Sequence, residues 1–600
     1  MRPPPVPPPR PNDERYDAFA HHRMSPFKPS MFLIASTSEL PPDRVVWGTG
    51  GWLDPHLREG LDWLTLGRLI GWETRVAGPE VDDLGSGLDG AFRAIVLACD
   101  PGRLSADAVG RLRAALAEEA TVLVARPATP GSSLAALQGN PEVGQTMSGV
   151  DLQWTGDGPS AVWRCREPIT ASALEPPKQS RVLATLDGIP VIVATPVSGS
   201  LVVTLGFHPS EARDRDGSAT ALLRHLLIHS SSRPAAWFDW GHTMILRMDD
   251  PGGAQNAYSR SWAYAKLGEA EWDDIGRELQ RRDASLTVGY ISAWVDDGDA
   301  HRGSLRVEGR DVARTPGRIH PSPTVWYRDE AGNRPGTVSD YQSEYRGLLR
   351  LKDAGLLSVE LHGYTHMHPD LETWLASPDR YDNRQWFREL GYRAEPILAE
   401  LDPADHPLAL GTDAIERFFD ARPTTLICPG EEFTPAALAT ALDLGLRLTG
   451  SYYLAIRVGQ RFCWCQHVCS PYLDQPDPRW FDAGLPVVGY FHDYEPSLEG
   501  VTWISRWLDA WQEAGARRFV DYRHVASALA KTLDLESDGE SLRLRVGEDT
   551  SIPSQVPFRI HLANLPAPHP ESIEVVTPRA TIEAPLESLD SHLARIEVML

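Results

Sequence analysis

The chain has 600 residues with 82 acidic and 58 basic side chains, so its formal charge at pH 7 is −24. The length predicts two or three domains, and the acidic excess argues against broad affinity for nucleic acid and favours neutral or cationic partners. Hydrophobic residues make up 42% of the chain, and no apolar run reaches the length of about 18 residues that a membrane span needs.

Residues 1–30 begin with the proline-rich stretch MRPPPVPPPRPN, which predicts an extended, disordered arm. This arm lacks the apolar core of a secretory signal. As written, the sequence therefore predicts a cytoplasmic protein, with an extracellular location open if the true start lies elsewhere. Six cysteines in a chain of this length do not indicate a disulfide scaffold.

Residues 31–235 alternate between apolar strands, such as MFLIAS and TVLVA, and amphipathic helices, such as SADAVGRLRAALAEEA with its serine cap. This alternation predicts an α/β layered domain. It resembles the class I glutamine-amidotransferase fold, but Cys99 after the strand RAIVLAC lacks the glycine-flanked elbow of a nucleophile. We therefore expect a non-catalytic domain that serves substrate presentation or assembly.

Residues 236–534 contain a second series of strands separated by helical patterns, which predicts a barrel-like parallel arrangement. The strand candidates are GHTMILRMDD, SLTVGYISAW, LLSVELHGYTH, TTLICPG, LPVVGYFHD and RRFVDYR. Residues 535–600 instead alternate polar and apolar positions, as in SLRLRV, PFRIHLANL, SIEVV and ARIEVM. This pattern predicts a small antiparallel β module.

Polar groups follow four of the strands in residues 236–534, and the carboxyl ends of parallel strands share one face. We therefore expect these groups to converge, although they lie far apart in sequence. They are Asp249 with Asp250, the histidines of HGYTHMH, Pro429 with Gly430, and His492.

The histidines His362 and His366 are spaced i,i+4, which brings both rings to one side if the segment turns helically. With a carboxylate they would bind one divalent metal ion, zinc being favoured, and leave positions open for water and substrate. Gly363 stands where a zincin has its glutamate base, so the base must come from elsewhere. The adjacent Asp249 and Asp250 can divide the work, one as ligand and one as base.

Together these motifs resemble the polysaccharide deacetylases of the NodB-homology superfamily, in particular a divergent branch with an arginine before the aspartate pair and an HGYTH-type second motif. The resemblance covers residues 240–530 and implies a distorted (β/α) barrel. It implies Asp249 as catalytic base, His492 as general acid, and a metal site formed by Asp250, His362 and His366. The implied reaction is hydrolysis of an N-acetyl group, with a backbone N–H near Gly430 helping to hold the oxyanion.

The sequence departs from the family pattern in its third motif, where LICPGEEF lacks the arginine that usually braces the base. Arg247 lies two residues before Asp249 on the same strand face and is the proposed replacement. The aspartate that orients His492 stays open among Asp474, Asp477 and Asp482.

Several other residues admit more than one interpretation. Tyr364 and Trp480 could line a sugar-binding pocket, with Pro429 and Gly430 as further substrate-binding residues, or the two aromatic residues could belong to the core. His368 has no assigned task. The stretch CWCQHVC favours a row of buried thiols over a zinc site, because alternate residues on a strand lie too far apart to surround one ion.

Three functions are consistent with these patterns. The first is removal of N-acetyl groups from an amino-sugar polymer or oligosaccharide, and the second is hydrolysis of another C–N bond in a small amide. The third is a non-catalytic carbohydrate-binding or assembly protein on a degenerate deacetylase scaffold. The sequence does not indicate an oligomeric state.

Overall fold

The structure is a computed structural model, and it describes residues 31–35, 55–79, 84, 88, 92–118, 121–209, 217–259, 262–376, 385–450, 454–458, 461–465, 476–537, 541–548, 556–565, 569–590 and 593–600. The predicted N-terminal arm lies outside the described residues. So do Asp474 and the residues His467 and Cys469 of the CWCQHVC stretch.

The first part of the described chain forms a nine-stranded sheet with the order β2-β1-β3-β4-β9-β8-β7-β5-β6. Neighbours among β1, β2, β3, β4 and β9 pair in parallel, whereas β5 to β8 add antiparallel strands. The strands are β1 (Met31–Ala35), β2 (Thr74–Ala77), β3 (Ala94–Ala98), β4 (Val122–Ala125), β5 (Glu142–Trp154), β6 (Ala161–Glu175), β7 (Arg181–Leu186), β8 (Ile189–Val197) and β9 (Ser200–Leu205).

Helices cover this sheet, and for this reason β3 is buried at every position and its sequence is a continuous apolar run. The predicted helix after β3 spans Ala106–Glu118, and the hydroxyl of Ser105 accepts a hydrogen bond from the backbone N–H of Ala108 at 3.1 Å, as a serine cap does. The α-helices of this part are Pro55–Ile70, Ala106–Glu118, Ser133–Leu137 and Ser218–His229.

The second part of the chain contains strands that form a sheet with the order β23-β22-β21-β20-β19-β12-β11-β24, with β25 also paired to β11. Strands β13 to β18 form two small sheets in an excursion between β12 and β19. The strands are β10 (Ala235–Phe238), β11 (Thr243–Asp249), β12 (Leu286–Tyr290), β13 (Ala293–Val295), β14 (Gly303–Val307), β15 (Arg310–Asp311), β16 (Ile319–Pro321), β17 (Val325–Asp329), β18 (Val338–Asp340), β19 (Leu357–Leu361), β20 (Thr425–Ile427), β21 (Leu448–Gly450), β22 (Leu454–Val458), β23 (Arg461–Cys465), β24 (Val487–His492) and β25 (Arg518–Val520).

The main sheet of this part is mixed α/β in class, as predicted, but its described strands do not close into a barrel. Strands β24, β11, β12, β19, β20 and β21 run parallel to their neighbours. The chain then turns back, so that β22 and β23 pair antiparallel and end the sheet as a hairpin. This hairpin occupies the edge at which further parallel strands would have to continue toward closure.

The helices of this second part follow the strands in alternation. The longer ones have an apolar stripe that faces the sheet, as the sequence of an amphipathic helix predicts. The α-helices are Gln255–Tyr258, Glu269–Arg281, Tyr341–Asp353, Leu371–Ala376, Glu395–Leu398, Pro407–Phe419, Pro435–Asp443, Arg479–Asp482, Tyr494–Glu499, Thr502–Glu513 and Tyr522–Leu529.

The last part of the chain contributes to two four-stranded sheets, with the orders β26-β27-β29-β30 and β10-β28-β32-β31. All pairs are antiparallel except β27 with β29, which run parallel. No helix among the described residues is long and apolar enough to cross a membrane. The strands are β26 (Lys531–Ser537), β27 (Leu542–Glu548), β28 (Pro557–Ala563), β29 (Ser572–Val576), β30 (Thr581–Pro585), β31 (Glu587–Ser588) and β32 (Leu593–Met599).

Candidate active site

The aspartate pair lies at the carboxyl end of β11, which is flanked by β12 and β24. In this register Asp249 pairs with His492 of β24 on one side and with Gly289 of β12 on the other. A Cβ atom at Gly289 would lie 2.9 Å from Asp249 Oδ1, so the glycine makes room for the carboxylate. The next residue, Asp250, has a φ of 82°, a left-handed conformation that is uncommon for a non-glycine residue. Both aspartates are buried.

Asp250, His362 and His366 form a group that could hold a metal ion, called the metal set below, and their ligand atoms all lie within 4.8 Å of one another. Asp250 Oδ1 is 3.3 Å from His362 Nε2 and 3.8 Å from His366 Nε2. His362 Nδ1 lies 2.9 Å from the carbonyl oxygen of Ile427, which can only accept, so Nδ1 carries a proton and Nε2 is the ring nitrogen that faces Asp250. The donor types and their closeness fit a divalent ion such as zinc.

The two histidines meet through a loop and not through the helical turn that the i,i+4 spacing predicts. The loop after β19 is irregular, with left-handed φ values of 74° at Gly363 and 63° at His366. The ring centroids are nevertheless only 4.7 Å apart.

The buried carboxylate of Glu389 holds this loop in place. It accepts hydrogen bonds from the backbone N–H groups of Tyr364 at 2.8 Å, Thr365 at 2.9 Å and His366 at 3.3 Å, and from the Thr365 hydroxyl at 2.8 Å. A Cβ at Gly363 would lie 2.2 Å from the same carboxylate, so only glycine fits there. Glu389 has no signal in the sequence, because it lies 23 residues after His366 and belongs to no motif.

The electrostatics of the metal set favour the ligand form of Asp250 and His366, whereas the charge of Asp249 and the contact with Asp250 outweigh burial and raise the pKa of His362. Burial alone would raise the pKa of Asp250, but the hydrogen bond with His362 and the charges of His492 and His366 lower it well below its usual range. Burial and the neighbouring His362 lower the pKa of His366 to about 4. Asp250 is thus a carboxylate and His366 a neutral imidazole at pH 7, as metal ligation requires.

The other aspartate, Asp249, is braced by Arg247. The Arg247 side chain is fully buried; its Nε donates to Asp249 Oδ1 at 2.9 Å and its Nη2 contacts Asp249 Oδ2. Nη2 also contacts Glu431 Oε1 at 3.2 Å, and the guanidinium carbon lies 4.3 Å from the centre of the Tyr490 ring. Burial raises the pKa of Glu431 to about 7, with Arg247 acting in the opposite direction. Glu431, which directly follows the predicted Gly430, is a second contact of the site that was not predicted from the sequence.

His492 is oriented by a glutamate three residues later. Its backbone N–H donates to Glu495 Oε2 at 2.8 Å, its Nδ1 lies 3.6 Å from Glu495 Oε1, and its Nε2 lies 2.7 Å from the Tyr490 hydroxyl. Burial lowers the pKa of His492, but Glu495 and the charge of Asp250 more than compensate and raise it to about 9. Of the predicted aspartates, Asp477 pairs with Arg479 instead.

A buried ion pair supports the aspartate turn from behind. Lys266 Nζ lies 2.7 Å from Asp493 Oδ2, with both side chains fully buried, and donates to the backbone carbonyl of Asp250 at 2.8 Å. The backbone N–H of Asp493 donates to the carbonyl of Asp249 at 3.1 Å, and the Tyr264 hydroxyl donates to Asp493 Oδ1 at 2.5 Å. Lys266 and Asp493 therefore fix the backbone on which both aspartates depend.

The predicted substrate-binding residues differ in where they lie. The backbone N–H of Gly430 donates to His366 Nε2 at 3.3 Å, so it points into the metal set, and Pro429 packs on Gly363. Tyr364 is half-buried. Trp480 is only 1% exposed and packs in the hydrophobic core with Arg166 over its ring, so it belongs to the core and does not line a pocket.

The remaining candidates stay apart from the site. His368 is buried, and its Nδ1 accepts a hydrogen bond from the backbone N–H of Asp370 at 3.1 Å. It is not part of the metal set found among the described residues. Cys463 and Cys465 lie on β23, and the predicted row of thiols stays a prediction, because the rest of that stretch lies outside the described residues.

Comparison with known proteins finds similarity among solved structures. No family model and no curated protein matches the sequence. The crystal structure of Agd3, described as a novel carbohydrate deacetylase, is 10% identical, covers 96% of this chain and 97% of that chain, and has a TM-score of 0.43. A CE4 family pseudoenzyme from Bacillus anthracis is 10% identical over 48% of this chain and 66% of that chain, with a TM-score of 0.24.

Proposed function

We propose that the chain is a metal-dependent hydrolase that removes N-acetyl groups from an amino-sugar polymer or oligosaccharide. The observation that carries this proposal is the division of roles between two adjacent buried aspartates. Asp250 faces two imidazole nitrogens, whereas Asp249 faces the guanidinium group of Arg247. This difference in partners supports Asp250 as a metal ligand and Asp249 as a base.

The metal would be held by Asp250, His362 and His366, which leaves positions open for substrate and water. A divalent ion in this set, zinc being favoured, would supply Lewis acidity toward a carbonyl oxygen and toward water. The hydrogen bond from His362 Nδ1 to Ile427 supports this use, because it fixes the ring with Nε2 as the nitrogen that faces Asp250.

Asp249 would accept the proton of the attacking water. Its Oδ2 lies 3.9 Å from His362 Nε2, so the carboxylate borders the metal set without belonging to it. Two contacts from Arg247 fix the orientation of the carboxylate. A base held in this way needs little reorganisation when the water approaches.

His492 would donate a proton to the leaving nitrogen. With its pKa raised to about 9, the imidazole is protonated at pH 7 and can act as a general acid. Glu495 orients the ring. The N–H of Gly430, which points at His366 Nε2, could donate to the oxyanion that forms as the carbonyl is attacked.

Acetate release from a panel of N-acetylated oligosaccharides and small N-acetyl amides tests the proposal. We expect release from oligosaccharides, and a fall of about 10²- to 10⁴-fold in kcat for Asp249→Asn. Asp353→Asn, the same replacement at a side chain that is 61% exposed, serves as control and should leave kcat unchanged.

Three outcomes would contradict the proposal. Undiminished release by Asp249→Asn would remove the assigned base. Release from small amides alone would favour the second function predicted from the sequence. Binding of oligosaccharides without release, in protein that contains metal, would favour a non-catalytic binding protein.

A further inference from the structure

We propose that Trp262 and Phe387 form a stacking platform for a sugar ring of the substrate beside the metal and acid groups. This inference rests on the proposed function and names how that site would recognise a carbohydrate. Trp262 is 36% exposed and is the only aromatic residue among the large hydrophobic side chains of the described chain that are exposed to this degree. Such exposure of a tryptophan has a cost in water, so its position calls for a partner.

The two aromatic rings bridge the catalytic groups. The Phe387 ring lies 6.1 Å from the ring of His366 at an interplanar angle of 26°, close to parallel stacking. Trp262 lies 6.1 Å from Phe387 and 5.8 Å from His492. A continuous aromatic wall thus leads from a proposed metal ligand to the proposed general acid. The C–N bond to be cleaved has to lie between these two groups, so its sugar ring comes next to this wall.

The backbone on both sides holds the wall in place. A Cβ at Gly430 would lie 2.7 Å from Phe387 Cε2, so Phe387 packs directly on the backbone whose N–H points at His366. The N–H of Trp262 donates to the Ser259 hydroxyl at 3.2 Å. Four residues later, Lys266 donates to the carbonyl of Asp250. The platform is therefore built on the same elements that position the catalytic groups.

The chemistry of this wall suits a pyranose ring. One face of a pyranose carries C–H groups that pack on an aromatic ring, while its edges carry hydroxyls that need polar partners. The wall supplies the apolar surface, and the exposure of Trp262 leaves the hydroxyls of a ring stacked on it in contact with water. A small amide without a ring would make little use of Trp262, so the platform predicts preference for N-acetylated saccharides.

The experiment compares Trp262→Ala with wild type in the full-length, metal-loaded protein. The probes are a β-1,4-linked tetrasaccharide of N-acetylglucosamine, its N-acetylgalactosamine counterpart, and a small N-acetyl amide. We expect Trp262→Ala to raise KM about tenfold for whichever tetrasaccharide the wild type deacetylates. The kcat for that tetrasaccharide, and both kinetic constants for the small amide, should change little. Trp262→Phe should restore most of the loss. Trp326→Ala is the control, because Trp326 is half-buried and packs under Arg306 on a separate strand pair.

The outcomes separate this inference from the proposed function. An unchanged KM in Trp262→Ala, with activity still lost in Asp249→Asn, would overturn the platform and leave the hydrolase. Equal losses on tetrasaccharide and small amide would indicate a structural role and also overturn it. Tetrasaccharide binding that needs Trp262, without any acetate release by wild type, would support the platform and overturn the hydrolase. Failure of wild type to bind or cleave either tetrasaccharide would overturn the platform.

Discussion

The two α/β sheets of this protein both gather buried charge near the carboxyl ends of parallel strands, but they compensate that charge differently. At the first sheet, Glu59 on the helix Pro55–Ile70 is 1% exposed and lies 3.1 Å from Arg126 Nε and 3.2 Å from His208 Nε2. The nearby Cys99 has its pKa raised to about 12 by burial and by the charge of Glu59. Its thiol stays protonated at pH 7 and is a poor nucleophile.

At the carboxyl end of β11 in the second sheet, the two aspartates have different partners. Asp249 has a permanently charged arginine, as Glu59 does, whereas Asp250 has two imidazoles that can bind a metal ion in their neutral form. A buried carboxylate paired with guanidinium is thus held in a fixed orientation, whereas one that faces imidazole nitrogens can share a metal ion with them. The partners of a buried acid therefore decide what it can do.

The largest expected effect is on the free energy of unfolding, through the ion pair at the carboxyl ends of the second sheet. Lys266→Met removes the cation from the fully buried Asp493 and should lower the free energy of unfolding by about 3–5 kcal/mol, since an unpaired buried charge remains. Arg126→Met in the first sheet should lower the free energy of unfolding by less, because Arg126 is 20% exposed and Glu59 keeps its contact with His208. Urea denaturation monitored by circular dichroism measures both. Equal losses in the two variants would contradict the distinction.

Much of the candidate site could be predicted because its chemistry follows strand ends directly. Asp249, Asp250, His362, His366 and His492 stand at or just after apolar strands, and a parallel sheet brings such positions together. The mixed α/β class follows from the same alternation. The prediction of a closed barrel was wrong, because nothing in the sequence pattern of the strands distinguishes a last parallel strand from the antiparallel hairpin of β22 and β23.

The supporting residues could not be predicted, because only the fold pairs them with one another and with the groups they support. Asp493 directly follows His492, but its partner Lys266 is 227 residues away in sequence, and Glu389 approaches the histidine loop from its own segment. Glu495 is the exception, since its i,i+3 spacing from His492 at the start of a helix was a usable signal. The location of Trp480 could not be predicted either, because aromatic residues near strands occur both in cores and in pockets, and the sequence does not distinguish the two.

A second prediction concerns the loop that carries His366. The Glu389 carboxylate accepts hydrogen bonds from three backbone N–H groups. In Glu389→Gln, only the amide oxygen can accept these bonds, and the amide NH₂ would face backbone N–H groups. The loop should therefore become less ordered. We expect metal affinity to fall by about 10- to 100-fold, measured by competition with a chelator. Asp329→Asn is the matched control, because this buried carboxylate also accepts backbone N–H groups, from Gly332 and Arg334, in the excursion between β12 and β19. Unchanged affinity in Glu389→Gln would show that the loop does not depend on this carboxylate.

The smallest effect is a shift in the titration of His492. In metal-free protein we expect NMR to give a pKa of about 9, and Glu495→Gln to lower it, whereas Glu499→Gln on the same helix should not. Because the folded pKa lies above the unfolded value of about 6.5, this histidine stabilises the fold fully below that pH and the contribution is lost as pH rises through about 9. Added metal should lower the pKa, since a cation beside Asp250 opposes protonation. A pKa that is the same in Glu495→Gln and wild type would remove Glu495 from its orienting role.

The division of roles between the two adjacent aspartates is tested most directly by metal content. Purified wild type, Asp249→Asn and Asp250→Ala should be loaded with zinc, desalted and measured by inductively coupled plasma mass spectrometry. We predict roughly one equivalent in wild type and in Asp249→Asn, and none in Asp250→Ala, because only Asp250 belongs to the ligand set. Absence of metal from wild type, or equal binding by Asp250→Ala, would contradict the account.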